Sequence, residues 1–373
     1  MADQAIKVLL AGGGTGGHLF PAIAIADELK KLRPDGEILF VGTKGKIEAR
    51  VVPEKGYRIS RIWISALHRD FRFSNLLFPL KVGVALLQSF FIIRKFSPDV
   101  VIGTGGYVAG PVLWVASMLG IPIVVHESNS YPGVTTRLLS RRASKVFITF
   151  EATRKWLRGI ENIELVGNPT RDILGRVSRE EGARFFNISA KKKTLLVFGG
   201  SLGAASLNRA IAGIVTDLIE AGIQLIWQVG EQDFPKVSAM QIPSTGKQSE
   251  QQLLWIGKFI DRMEYAYAAA DLVMCRSGAT TLAEITRLGK PAILVPFPHA
   301  AADHQAGNAR TLAEHGAAEI ILDDDLSARA KEAIVRLISD SEKLKRMGEQ
   351  ALKLGKPEAG RVIAERILAL LSR

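Results

Sequence analysis

Twice along this chain an apolar, strand-like run ends in a cluster of glycines and passes directly into a helix-like segment. Ile6-Lys7-Val8-Leu9-Leu10-Ala11 leads into Gly12-Gly13-Gly14-Thr15-Gly16-Gly17-His18 and a helix from about Leu19 to Leu32. Thr194-Leu195-Leu196-Val197-Phe198 leads into Gly199-Gly200-Ser201-Leu202-Gly203 and a helix from Ala204 to Ala221. A strand that feeds a helix through a tight turn must lay that helix back on a parallel sheet, so each occurrence opens an α/β unit. Two openings in 373 residues imply two domains, and the length suits two cores better than one. The fold class is therefore α/β, with two Rossmann-like domains expected to face each other across a cleft. Ligands are expected at the carboxyl ends of the strands. Further strands are expected at Glu37–Val41, Asp99–Gly103, Ile121–His126 and Lys145–Thr149 in the first half. In the second half they are expected at Gln224–Val229, Asp271–Cys275, Ala292–Val295 and Glu319–Leu322. The alternation breaks around Gly167-Asn168-Pro169, which places the domains at 1–168 and 169–356.

Several classes fall away at once. Cys275 is the single cysteine, so no intrachain disulfide forms, and the first residues carry none of the features of a signal peptide. A cytoplasmic location is the expectation. Val108–Val125 is uncharged but is punctuated by Gly110-Pro111 and Gly120-Ile121-Pro122, which makes it a buried helix, a turn and a strand rather than a membrane span. Leu76–Ile93 is interrupted by Pro79, Lys81 and Gln88 and reads as an amphipathic, surface-lying segment. The net charge of +12 is uneven. Residues 1–170 hold 22 Lys and Arg against 13 Asp and Glu, net +9, while the remainder, 27 against 24, nets +3. On charge alone the first half either faces something anionic, nucleic acid or lipid, or simply presents a soluble basic surface.

Gly12, Gly14 and Gly17 have the spacing of a dinucleotide fingerprint, but the second strand ends in Gly42-Thr43-Lys44 with no carboxylate for a ribose. That disfavours a nicotinamide cofactor. The surplus of glycine instead suggests close approach by a bulky ligand or a lipid diphosphate, with His18 at the mouth of the loop as an acid–base candidate. Gly103-Thr104-Gly105-Gly106-Tyr107 and Gly199-Gly200-Ser201 are two further strand–loop–helix junctions whose amides can receive an anion. In Cys275 to Glu284, small residues open a helix after the strand Asp271–Met274. Ala279, Thr280 and Thr281 would meet a diphosphate there, and Glu284 would hold ribose hydroxyls. Cys275 reads as a core residue. His299, Asp303 and His304 fit no standard zinc spacing, and Asp323-Asp324-Asp325 reads as a helix cap rather than a manganese site, so no metal and no cofactor are assigned.

Taken in order, these motifs resemble the MurG family, the undecaprenyl-diphospho-muramoylpentapeptide β-N-acetylglucosaminyltransferases, which have the GT-B fold. The resemblance covers nearly the whole chain. It is carried by Gly12–His18, Gly103–Pro111, His126-Glu127-Ser128-Asn129, Gly167-Asn168-Pro169-Thr170-Arg171, Gly199–Ala204, Phe259–Met263, Cys275–Glu284 and Pro296–Gln305. Ser128, Thr170 and Leu202 depart from the usual family residues, and none removes a group assigned to catalysis.

The resemblance implies an inverting transfer from UDP-N-acetylglucosamine to the 4-hydroxyl of a polyprenyl-diphosphate-linked muramoyl-pentapeptide, with no nucleic-acid partner. It implies that the second domain binds the donor and the first the acceptor, and that a last helix within 357–373 packs back on the first domain. His18 and Asn129 would be catalytic. Ile260 would present its backbone to uracil, and Ala279, Thr280, Thr281, Leu282 and Ala283 would line the diphosphate. Glu284 would hold the ribose, and Gln305 the sugar hydroxyls. Ser201 and Arg171 would contact the phosphates of UDP-N-acetylglucosamine, while Thr15, Gly16, Gly17 and Asn129 would complete the donor sugar and acceptor region. A UDP-sugar epimerase or a glycolipid synthase on the same fold is the alternative. Because the acceptor's tail stays in the bilayer, the enzyme is expected as a peripheral protein on the cytoplasmic face of the inner membrane. Arg72, Leu76, Leu77, Phe78 and Lys81 would meet the anionic surface.

Overall fold

A computed structural model describes residues 5–65, 77–200, 203–240, 253–300 and 303–372. They divide into two compact units, Met1–Arg171 with Lys356–Arg373 and Asp172–Gly355.

The first unit runs β1 (Lys7–Gly12), α1 (Gly16–Leu32), β2 (Glu37–Gly42), α2 (Ile47–Glu54), β3 (Arg58–Arg61), α3 (Phe78–Phe96), β4 (Val100–Gly105), α4 (Gly106–Met118), β5 (Ile123–Glu127), α5 (Val134–Leu139), β6 (Lys145–Ile148) and β7 (Ile163–Leu165). Its seven strands lie in the order β3-β2-β1-β4-β5-β6-β7, every pair parallel. The strand residues alternate between two cores. Leu9 and Ala11 join a cluster with α3, α4 and α5, while Val8 and Leu10 join one with α1 and α2. Burial on both faces explains why these strands read as unbroken apolar runs.

The second unit runs α6 (Arg179–Phe185), β8 (Thr194–Phe198), α7 (Ala205–Ala212), α8 (Val215–Glu220), β9 (Gln224–Gln228), α9 (Phe234–Ser238), β10 (Leu254–Gly257), α10 (Met263–Ala269), β11 (Leu272–Cys275), α11 (Ala279–Leu288), β12 (Ala292–Leu294), α12 (His304–Glu314), β13 (Ala318–Ile320), α13 (Leu326–Ser339) and α14 (Ser341–Leu354). Its sheet order, β10-β9-β8-β11-β12-β13, repeats the topology of the first unit and is also wholly parallel. The final helix, α15 (Ala359–Leu371), belongs to the first unit, where Ile363, Ala364 and Ile367 enter the core shared with α1.

Three details differ from the sequence expectation. The helix expected over Ala204–Ala221 is two helices, because the chain turns at Gly213 and Ile214, where glycine weakens the helix interior. The first helix begins at Gly16, so His18 lies inside its first turn rather than ahead of it. Strands β3, β7 and β10 are additional, and all three are sheet edges. Short, half-exposed edge strands lack the continuous apolar signature.

Candidate functional site

In an open parallel sheet, neighbouring strands whose connections leave in opposite directions open a crevice at their carboxyl ends. In the first unit that point lies between β1 and β4, and in the second between β8 and β11. The glycine loops found in the sequence sit at these two points.

At the first, the β1–α1 and β4–α4 loops are tied to each other. Thr104 Oγ1 donates to the His18 carbonyl at 2.7 Å, and His18 Nδ1 lies 3.0 Å from the Thr104 carbonyl. A carbonyl can only accept, so Nδ1 carries a proton, and when the ring is neutral Nε2 carries the lone pair. The approach requires glycine opposite: Gly105 has φ +103°, and a Cβ there would lie 2.5 Å from His18 Nδ1. Leu19 N–H to Thr15 O is the first α-helical bond of α1, so the Gly16 and Gly17 amides precede the helical ladder. Thr15 and Gly17 are exposed there.

The loop after β5 is built on Glu127, which is buried. Its Oε1 accepts from Asn129 N at 3.0 Å and Asn129 Nδ2 at 3.3 Å, and its Oε2 from Gly133 N at 2.9 Å and Thr136 Oγ1 at 2.6 Å. Thr153 Oγ1 donates to the Asn129 carbonyl at 3.0 Å. Asn129 is thus held by main chain and side chain at the carboxyl end of the sheet. Arg171 is half-buried at the end of the first unit.

In the second unit α11 starts directly beyond β11. Leu282 N–H to Gly278 O, at 3.0 Å, is its first intrahelical bond, so the amides of Ala279, Thr280 and Thr281 lie ahead of the ladder and offer positive partial charge. Leu282 is in the core and Ala283 is half-buried. Glu284 is buried in the second turn, and Tyr267 donates its hydroxyl to Oε2 at 3.0 Å. Burial, and then the Glu284 carboxylate, push the Cys275 thiol far above its usual range, which keeps it an inert core group.

Two loops complete this side. Gln228, at the end of β9, accepts from Ile260 N at 3.0 Å and donates to the Gly200 carbonyl at 2.8 Å. The Ile260 N–H is therefore committed, and its carbonyl is the backbone group left for a base. Gln305 accepts from Phe297 N through Oε1 at 3.0 Å, and its own carbonyl accepts from Ser277 Oγ at 2.8 Å. That leaves Nε2 as the outward donor. Arg276 reaches the Val295 and Pro296 carbonyls, Ser206 Oγ and the Asp323 carboxylate. The triple aspartate does not cap as expected: Asp325 occupies the N-cap position of α13 without a side-chain capping bond and lies 3.8 Å from Arg329, and Asp323 is the ion-pair partner of Arg276.

Ser201, Arg72 and Leu76 lie outside the described residues. Leu77 is exposed and Phe78 half-buried, whereas Lys81 donates to Ser65 Oγ at 3.0 Å and sits over the Trp63 ring. Glu48, Gln228 and Tyr267, together with the ion pair of Arg276, carry structural duties that nothing in the sequence singled out.

With this geometry in place, residues 8–148 match the family model of the glycosyltransferase family 28 N-terminal domain, and residues 194–366 that of the C-terminal domain. Over 370 residues the chain is 45% identical to the UDP-N-acetylglucosamine–N-acetylmuramyl-(pentapeptide) pyrophosphoryl-undecaprenol N-acetylglucosamine transferase of Chlorobaculum parvum, covering 98% of this chain and 99% of the relative. A crystal structure of Acinetobacter baumannii MurG matches with a TM-score of 0.74 at 27% identity, over 98% of this chain and 99% of that one. The calicheamicin glycosyltransferase matches with a TM-score of 0.70 at 17% identity, over 99% of each chain, a likeness of fold alone.

Proposed function

The chain belongs to glycosyltransferase family 28, and on that premise we propose that it transfers N-acetylglucosamine from UDP-N-acetylglucosamine to the 4-hydroxyl of the muramoyl sugar in polyprenyl-diphosphate-linked muramoyl-pentapeptide. The observation that carries this reading is the end-to-end likeness to relatives named for this transfer.

The acceptor oxygen attacks the anomeric carbon, the bond from that carbon to UDP breaks, and the α-linked donor becomes a β-linked product. Charge develops on the departing diphosphate while the sugar passes through an oxocarbenium-like state. The amides at the start of α11, with the Thr280 and Thr281 hydroxyls, Arg171 and Ser201, stabilise that charge. A well-placed donor of this kind is worth about 3 kcal/mol in the transition state. Glu284, oriented by Tyr267, holds the ribose. The Ile260 carbonyl accepts from uracil, and Gln305 Nε2 addresses a sugar hydroxyl. In the first unit Thr15, Gly16, Gly17 and Asn129 hold the donor sugar and the adjoining acceptor region. His18 Nε2 takes the proton of the attacking hydroxyl, a role supported by the tautomer that Thr104 imposes.

The same reading places the enzyme on an anionic membrane surface, at the cytoplasmic face, as a peripheral protein. Among the described residues no helix is long and apolar enough to cross a membrane. The support for docking lies on the face formed by α3, α4 and α5, which carries exposed Phe91, Met118 and Leu138 among basic residues.

The deciding experiment measures UDP release by the purified protein with and without lipid-linked muramoyl-pentapeptide. Release that depends strictly on the acceptor, with a β-linked disaccharide formed on the lipid, is the expected result. Conversion of UDP-N-acetylglucosamine without acceptor would instead identify an epimerase.

A further inference from the structure

Glu48 is a carboxylate with 1% of its surface exposed, and the donors that meet it among the described residues are uncharged. A buried carboxylate survives in such a place only when its oxygens are well supplied with donors. Three are given: Gly14 N at 3.0 Å to Oε2, and Thr43 N at 3.1 Å and Thr43 Oγ1 at 2.8 Å to Oε1. Glu48 also lies in the first turn of α2, where the helix favours negative charge.

These donors come from two different segments, and each is shaped around the carboxylate. A Cβ on Gly13 would lie 2.7 Å from the Glu48 carboxylate, and one on Gly42 would lie 2.6 Å from its Cγ. On the other side of the same loop, Gly14 has φ +85° and a Cβ there would lie 2.8 Å from the Tyr107 ring. The Tyr107 phenol is kept protonated, its pKa raised by burial, lowered by its bond with Thr43 and raised again by the Glu48 charge. One carboxylate therefore gathers the end of β2, the start of α2 and the β1–α1 loop against the start of α4. Glu127 does the same for the loop that carries Asn129.

We infer that Glu48 is a positioning residue for the acceptor: by accepting the Gly14 amide it turns that N–H inward and fixes the loop from which the Thr15–Gly17 backbone and His18 meet the acceptor sugar. This rests on the transferase reading above. Glu48 does not itself touch substrate. Its substitution moves the loop while leaving the second unit, where the UDP moiety is held, untouched.

The test uses the full-length enzyme with Glu48→Gln, Thr43→Val and Thr43→Ser. In Glu48→Gln an amide N–H2 must face either the Gly14 N–H or the Thr43 donors, so at least one bond becomes a donor–donor contact. The expected result is an acceptor KM raised by about 10- to 100-fold in Glu48→Gln, with UDP affinity by calorimetry retained and a folded enzyme whose melting temperature is lowered by the buried donor–donor contact. Thr43→Val should shift acceptor KM in the same direction, and Thr43→Ser, which keeps the hydroxyl, should restore it to within about twofold of the parent. A folded Glu48→Gln enzyme with a lowered melting temperature but the parent's acceptor KM and kcat would mark a purely structural carboxylate and overturn the inference, whereas a kcat that falls as well reports displacement of His18. If Glu48→Gln does not fold, the Thr43 pair decides alone. Parent enzyme that releases UDP without acceptor dependence would refute the transferase reading itself, a result separate from any of these.

Discussion

His126 is fully buried at the end of β5, with Nε2 3.1 Å from the Gly167 carbonyl and Nδ1 without a hydrogen-bond partner. The carbonyl can only accept, so Nε2 carries the proton and the ring is neutral. Burial is the main cause that pushes its pKa down to about 4; the Gly167 bond opposes the shift and the charge of His18 adds to it. On unfolding the ring regains an ordinary value near 6.5, so between about pH 6.5 and pH 4 the unfolded chain binds the extra proton and stability is lost as pH falls. Going from pH 7 to pH 5 should remove about 2 kcal/mol from the first unit by this route. Urea unfolding at the two pH values tests it: His126→Asn should show a smaller loss than the parent, and an equal loss would place the acid sensitivity elsewhere. His18 has the complementary arrangement, with Nδ1 fixed on Thr104 and Nε2 assigned to the acceptor proton. General-base contributions are about 10²- to 10⁴-fold, so His18→Ala should lower kcat within that range while calorimetry shows UDP bound as before. Near-normal turnover in that variant would remove His18 from the reaction.

At the scale of elements, what the sequence discloses and what it hides follow from where the information resides. Strands buried on both faces are apolar throughout, and Thr194–Phe198 was legible to the residue. The edge strands β3 and β7 were not, because Arg58-Ile59-Ser60-Arg61 and Ile163-Glu164-Leu165 face partly into solvent and carry charge. Glycine loops were legible because positive φ and close backbone approach restrict the residue type itself, as at Gly105 beside His18. The residues that hold those loops were hidden. A glutamate in the first turn of a helix is ordinary, and nothing local distinguishes Glu48, whose partner Gly14 lies 34 residues away. Tyr267 and Glu284 sit on different helices, and Arg276 meets Asp323 across 47 residues. Asp323 looked like a cap because aspartate before a helix usually is one. The buried guanidinium of Arg276 competes better for it, since a charge-assisted bond at low exposure outweighs an exposed cap.

At the scale of the whole chain, charge and apolar surface are segregated together. Of the net +12, residues 1–170 carry +9, and within that unit α3, α4, α5 and the turn Ser140–Arg142 contain no aspartate or glutamate. They hold Lys81, Arg94, Lys95, Arg137, Arg141 and Arg142, and the last stacks on exposed Trp114 at 4.7 Å. Leu87, Phe91, Met118, Val134 and Leu138 are each more than half exposed on the same three helices. A face rich in apolar groups and lacking acids is costly in water but favourable at an anionic lipid surface. Each cation there contributes about 1 kcal/mol and apolar side chains reach the acyl boundary. Lys81 is turned toward Ser65 and Trp63, so Arg94 and Arg141 are better probes of docking than Lys81. The chain should bind vesicles containing an anionic phospholipid and leave them as salt is raised, because surface charges are screened over about 8 Å at physiological ionic strength. Reversing one cation changes the local charge by two, which corresponds to about 30-fold in vesicle affinity. Phe91→Ser, Leu138→Ser and Arg141→Glu combined should therefore abolish sedimentation with phosphatidylglycerol vesicles while UDP affinity stays at the parent value. Because the acceptor's polyprenyl tail lies in the bilayer, the same variant should lose turnover on vesicle-embedded acceptor but keep it on a short-chain, water-soluble analogue. Equal loss on both acceptors would show that the substitutions damaged the unit itself, and retained sedimentation would show that another surface docks.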